Sequence, residues 1–274
     1  YGRACERLSA RTVHHQHRVL SQSLKYAVRQ GHLGRNPAEL VDSPSPHKKI
    51  MRTLTTSEVE ILFENAQDNR YYPVIYAALS TGLRQAELLG LRWRDIDLDV
   101  CSISVSQVLY KRRGMYQFKE PKTSHSRRRV AMTPKLALYL REYKVERESL
   151  YWQLGQSLTL DSLVFGTHEG KPFNPSVLSH DFGRMVKRIG LEGVRFHDLR
   201  HTFASLMLLR GAKPKVISEA LGHASVAFTM DVYSHIIEGM QEDAMALLDE
   251  VLPAGVNGVS QNNNAKLTPT LPVM

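Results

Sequence analysis

The sequence predicts a mixed, mainly helical protein. A helical domain carries a small three-stranded antiparallel sheet and follows a partial helical segment. Three observations carry this reading. Most of the 274 residues place apolar side chains at helical spacing between recognisable caps and stops. One stretch, from Asp95 to Met132, switches to strict alternation. A proline-bearing, cationic stretch near residue 45 sets the first forty residues apart.

Residues 8 to about 41 are predicted to form two short helices. Leu20, Leu24 and Ala27 recur at helical spacing, and Gly31 and Gly34 interrupt the pattern before Asn36-Pro37. Arg11, His14, His17, Arg18, Lys25 and Arg29 fill the remaining positions. Asp42-Ser-Pro-Ser-Pro-His-Lys-Lys-Ile-Met-Arg52 has linker composition: its prolines stiffen it, and Lys48 and Lys49 favour a path beside phosphate. Thr55-Thr-Ser-Glu58 is a capping box that opens the next helix.

From Asp95, Ile103 and Val105 alternate with serines as a strand, Arg112-Arg-Gly114 supplies a turn, and Tyr116 and Phe118 alternate again. The tight connection Glu120-Pro-Lys-Thr-Ser-His-Ser126 leads to a third strand at Arg127-Arg-Arg-Val-Ala-Met132. Helices are predicted at about 134–149, 174–189, 198–210, 214–221 and 225–231. Asn174 and Ser225 serve as N-caps, and Gly190, Gly211 and Gly222 as stops. A last helix at 236–251 lines up Ile237, Met240, Ala244, Leu247, Leu248 and Val251, a stripe of the kind usually packed in its own core. Residues 253–274 read as a disordered tail. The expected divisions are therefore 1–41, 42–52, 53–252 and 253–274.

A formal net charge of +9 favours a polyanionic partner. Cys5 and Cys101 follow no metal or redox spacing, which points to a reduced, cytoplasmic setting. No apolar run is long enough to span a membrane, and no signal-peptide pattern is present. The chain opens on Tyr1 rather than Met, so the reading expects a fragment.

The chemistry gathers in four segments. They are Thr81-Gly-Leu-Arg-Gln-Ala-Glu-Leu-Leu-Gly-Leu91, Arg195-Phe-His-Asp-Leu-Arg-His-Thr-Phe-Ala-Ser205, Leu221-Gly-His223 and Val232-Tyr-Ser-His235. Arg84 and Arg200 each offer a flat fork of donors that matches two phosphate oxygens. Tyr233 supplies an oxygen nucleophile able to carry a phosphoryl group covalently. His197 lies three residues before Arg200, so both fit one helix face, and an imidazole is a credible proton carrier. Surrounding positive charge is expected to ease deprotonation of the tyrosine phenol. Taken alone, Arg84 with Glu87 is more often an ordinary helix ion pair.

From about residue 8 to 250 these segments, in this order, resemble the tyrosine recombinase (phage integrase) family. The resemblance implies site-specific strand exchange on double-stranded DNA, through a 3′-phosphotyrosyl intermediate on Tyr233 and without cofactor or metal. It implies that Arg84, Lys122, His197, Arg200, His223 and Tyr233 are catalytic, with Lys122 protonating the leaving 5′-oxygen. Glu87 and His201 support them. Residues 1–41 become the C-terminal part of a core-binding domain whose Arg11, Arg18, Lys25 and Arg29, with Lys48 and Lys49 of the linker, touch DNA. Residues 53–252 become the catalytic domain. The resemblance also implies a homotetramer on DNA, in which the 236–251 stripe docks on the neighbouring protomer as readily as in its own core, with an accessory directionality protein as a further partner, and the spacing favours a mobile-element enzyme. Two rival classes stand beside it. One is a catalytically silent DNA-binding protein of the same fold. The other is a zinc hydrolase using His197 and His201, disfavoured because Asp198 stands where the zinc motif has Glu and Arg200 would repel the cation.

Overall fold

A 20-residue helix, α1 (Ala10–Arg29), dominates the first of two units in the computed structural model, residues 1–51, which is followed by a second unit at 52–274. The described residues are 6–45, 51–121 and 127–234. Ser9 caps α1 by accepting from the Thr12 amide at 3.2 Å. The two short helices expected here are one, because no glycine or proline interrupts residues 10–29. The break falls at Gly31, which adopts φ 75°, and a short 3₁₀ turn follows at Pro37–Leu40. Asn36 caps that turn and donates its side-chain amide to the Ser21 carbonyl, tying the turn back to the helix. Leu20, one of the apolar residues at helical spacing, is exposed within this unit.

The second unit begins with α2 (Thr56–Ala66), whose capping box is complete: Thr55 Oγ1 accepts from the Glu58 amide and Glu58 accepts from the Thr55 amide. Next comes α3 (Tyr72–Thr81), apolar on nearly every side, as a core helix must be. Its Val74, Ile75, Ala77, Ala78 and Leu79 are buried. It ends on Gly82 in the left-handed region, φ 65°, where a Cβ would lie 2.5 Å from Phe203 Cδ1 and 2.7 Å from Leu221 Cδ2. Only glycine fits that turn. The turn leads to the single-turn helix α4 (Gln85–Leu88).

Among the described residues five short strands follow: β1 (Ile96–Asp97), β2 (Ser102–Ser104), β3 (Val108–Arg112), β4 (Met115–Lys119) and β5 (Arg129–Ala131). They form a three-stranded antiparallel sheet, β1-β2-β5, with Ile103 opposite both Ile96 and Val130. The other two make a separate hairpin, β3-β4, closed between Arg112 and Met115 by Arg113 (φ 49°) and Gly114 (φ 82°). The three-stranded sheet is present, but Tyr116 and Phe118 belong to the hairpin and β1 takes the third place. The chain leaves the sheet after Ser104 because Ser106 donates to Asp95 at 2.6 Å and Gln107 donates to the Gly90 carbonyl at 2.8 Å.

The helices α5 (Pro134–Gln153), α6 (Pro175–Arg188), α7 (Asp198–Leu209) and α8 (Pro214–Leu221) start and stop close to the predicted positions. Asn174 and Ser225 both cap as expected, through the amides of Ser176 and Phe228. A further helix, α9, runs from 226 and is described to 234. The main core gathers α2, α3, α5, α6 and the sheet. A smaller cluster holds Ala204, Leu208, Ile217, Leu221 and Tyr233. The expected helix at 236–251 and the tail at 253–274 lie outside the described residues. Among the described residues no helix is long and apolar enough to cross a membrane.

Candidate active site

Three chain turns bring the arginines together: the Gly82 turn, the N-terminus of α7 and the αL cap of α8 at Gly222. Arg200 sits in the first turn of α7. Its Nη1 donates to the Gly82 carbonyl at 2.7 Å and its Nη2 to the Leu221 carbonyl at 2.6 Å. Both ends of the fork are therefore fixed by backbone, and the turn geometry sets the direction of the charge. Burial, followed by the charge of Arg84, brings its pKa down to about 9.

Arg84 stands just before α4, with its amide and Nη1 both donating to Glu87 at 2.8 Å and its Nη2 reaching the Gly222 carbonyl at 3.3 Å. Its side chain is 39% exposed while that of Glu87 is 3% exposed. Burial works to raise the Glu87 carboxyl, but the hydrogen bonds and charge of Arg128, with those of Arg84, hold it below its ordinary range.

The α7 entry is built separately. Arg195 clamps Asp198 through its amide at 2.8 Å and Nη2 at 2.9 Å. Thr202 Oγ1 donates to the Asp198 carbonyl at 2.9 Å and accepts from the Leu54 amide at 3.0 Å. The first turn of α7, which carries His197, Arg200 and His201, is thereby tied to the segment that precedes α2.

Tyr233 is 1% exposed, packed in the small cluster beneath α7 and α8. Its hydroxyl shares a 2.9 Å hydrogen bond with His201 Nδ1, and the His201 and His197 rings meet edge to face at 5.2 Å. Burial pushes the Tyr233 phenol up to about 12, outweighing the opposing charge of Arg200. In this arrangement, deprotonation is harder than the sequence leads us to expect. Burial also takes His201 and His223 down to about 4 and lowers His197. His223 Nδ1 shares a 2.8 Å bond with Thr229 Oγ1 on α9.

The structure thus brings Arg84, Glu87, His197, Arg200, His201, His223 and Tyr233 into one neighbourhood. Lys122, Lys48 and Lys49 lie outside the described residues. Arg11, Arg18, Lys25 and Arg29 are exposed on α1, in the other unit. Beside the site a cavity of about 380 Å³ is lined by Arg127, Arg128, Lys215, Glu219, Gly222 and His223. Among the described residues no group of three or more His, Cys, Asp and Glu side chains is placed to hold a metal ion.

The residue that the sequence reading passes over is Arg128. In the run Arg127-Arg-Arg129 it shares the inward register of Val130 and Met132, both buried, while its two neighbours are exposed. That alternation is the available signal.

Comparison with known proteins follows the same lines. The model of the phage integrase family matches residues 52–239. A tyrosine recombinase XerC-like protein of Caldanaerobacter subterraneus is 29% identical over 261 residues, which span 89% of this chain and 67% of that protein. The ICEBs1 integrase of Bacillus subtilis is 31% identical over 247 residues, with the same shares, 89% and 67%. Among solved structures, the Tn1549 transposon integrase in complex with transposon right end DNA aligns with a TM-score of 0.75 at 25% identity, covering 91% of this chain and 82% of that one.

Proposed function

Since the chain belongs to the phage integrase family and is a site-specific DNA recombinase of the tyrosine type, we propose that Tyr233 is its nucleophile, with Arg84 and Arg200 as phosphate clamps. The observation that carries this reading is the convergence of the two guanidiniums and Tyr233 on the ends of α4, α7 and α8. The Tyr233 oxygen bonds to phosphorus, the bond from phosphorus to the 5′-oxygen breaks, and the 3′-phosphotyrosyl link retains the ester for religation to another strand. Negative charge grows on the non-bridging oxygens, and preorganised donors such as Arg84 and Arg200 are typically worth about 10²–10³ in rate each. His197 and His223 line the same charge, with His197 as proton carrier and His223 as a hydrogen-bond donor to phosphate. Lys122 protonates the departing 5′-oxygen. Glu87 and His201 hold their neighbours in place.

Because Tyr233 is buried, reaching a phosphate requires that it leave the cluster under α7 and α8, and its bond to His201 must break. Residues 1–41 act as part of a core-binding domain through Arg11, Arg18, Lys25 and Arg29, and residues 42–52 as a linker that brings Lys48 and Lys49 along the backbone. Residues 53–252 are the catalytic domain and 253–274 a tail. The working assembly is a homotetramer on two duplexes in the cytoplasm, with an accessory protein setting direction for a mobile element.

The test uses nicked duplexes cut from the DNA flanking the gene for this chain. Tyr233→Phe is expected to bind as the parent does and to form no denaturation-resistant protein–DNA adduct. An adduct persisting in the Phe variant removes Tyr233 from its role. Binding without adduct in the parent marks a silent DNA-binding protein instead.

A further inference from the structure

Arg128 lies one residue before β5 with its side chain only 8% exposed, whereas those of Arg127 and Arg129 are 59% and 58% exposed. Its guanidinium meets the Glu87 carboxylate face to face: Nη1 donates to Oε1 and Nη2 to Oε2, each at 3.0 Å. Its Nε donates to the Ala220 carbonyl at 2.7 Å. Glu87 is in turn bonded by Arg84, which reaches the Gly222 carbonyl two residues further along. The starts of α4 and β5 and the end of α8 are thus joined by one chain of hydrogen bonds running from Ala220 to Gly222.

From this geometry we infer that Arg128 is a positioning residue for Arg84, an inference that rests on the assignment of Arg84 as a phosphate clamp. A carboxylate pairs best with a guanidinium through two parallel bonds, and it has one such face to give. Arg128 occupies that face. Arg84 is left with a single side-chain bond to Glu87, through Nη1, and the rest of its fork stays directed toward the Gly222 end of the site, where it is part-exposed. Without Arg128, the buried Glu87 carboxylate holds one cation instead of two, and the fork of Arg84 swings into the vacated two-bond pairing. The guanidinium is then spent on the protein. Lysine at 128 keeps the charge but offers no planar fork, so it does not restore the arrangement.

The experiment measures the rate of covalent adduct formation by the full chain on the nicked duplex of the preceding section. It uses two versions of the scissile group, the natural phosphate and a methylphosphonate, in which a methyl group replaces one non-bridging oxygen and removes the charge that Arg84 neutralises. Arg84→Ala and Arg128→Lys are both expected to slow adduct formation by roughly 10²-fold on the phosphate at saturating DNA. Half-saturation should stay at the parent value, because the loss is confined to the transition state. On the methylphosphonate, each variant should recover about tenfold or more relative to the parent. Equal losses for Arg128→Lys on both substrates, beside a recovered Arg84→Ala, would show a general structural role and overturn the inference. An unchanged rate on phosphate overturns it too. If Arg84→Ala itself does not recover, the assignment of Arg84 falls and takes this inference with it. Arg128→Gln, neutral and of similar reach, serves the same comparison where the lysine variant does not fold.

Discussion

His201 and His223 are uncharged near neutral pH because burial, with His197 beside the one and Arg200 beside the other, brings each down to about 4. In the unfolded chain an imidazole titrates near 6.5, so between about pH 4 and 6.5 the unfolded state binds more protons than the folded one. The stability these two rings contribute is therefore expected to fall as the pH is lowered through that window and to level off below it, where the depressed Glu87 and Glu58 carboxyls continue the loss. The urea midpoint should drop between about pH 7 and pH 4.5, and His201→Asn should flatten the drop. A midpoint independent of pH over that range would mean the rings are solvated. Gly82 makes a second test at this scale. Its φ of 65° and the 2.5 Å gap between Phe203 and the place a methyl group would take predict that Gly82→Ala costs on the order of 1–3 kcal/mol of stability in denaturant unfolding. Cleavage should suffer as well, since the Gly82 carbonyl holds Arg200. The side chains proposed for the chemistry on the described residues stand out in the sequence because each sits in a short motif of distinctive types, and the fold gathers Arg84, His197, Arg200, His223 and Tyr233. Arg128 is not, since a lone arginine in a basic run looks solvated until the inward register of the strand is known.

Most helices declare themselves through their ends. Thr55, Asn174 and Ser225 cap where expected, and Gly222 stops α8 in the left-handed region. The sheet is harder to read. The two-residue strand β1 is too short to show a period, and no local signal separates a β2 that pairs with β5 from a β4 that pairs only with β3. Near α1, Gly31 and Gly34 suggest the close of a second helix, while the uninterrupted run 10–29 needs only one. The capping box at the head of α2 gives a prediction of this scale. Thr55→Ala should lower unfolding stability by about 1 kcal/mol, while adduct formation at saturating DNA stays at the parent rate. A loss of rate without a loss of stability would place α2 closer to the chemistry than its packing indicates.

Across the whole chain, the surplus of positive charge is legible from composition and a division near residues 42–52 from the linker, and the fold divides the chain at 51/52. If Arg11, Arg18, Lys25 and Arg29 all lie on phosphates, replacing them with Ala should reduce the slope of log affinity against log salt by about 0.9 for each contact removed. Sequence preference should be unaltered. An unchanged slope would leave α1 facing solvent. The sealed position of Tyr233 has a consequence in time rather than in space. If Tyr233 is the nucleophile, any cutting speed observed in bulk is the intrinsic chemical speed multiplied by the fraction of molecules whose Tyr233 is out of the cluster. A protein drifting along a chromosome brushes past phosphodiesters far more often than it meets its own site, and each chance encounter is discounted by that same small fraction. Fidelity then depends on waiting: only an assembly that lasts longer than the interval between openings has its strand cut.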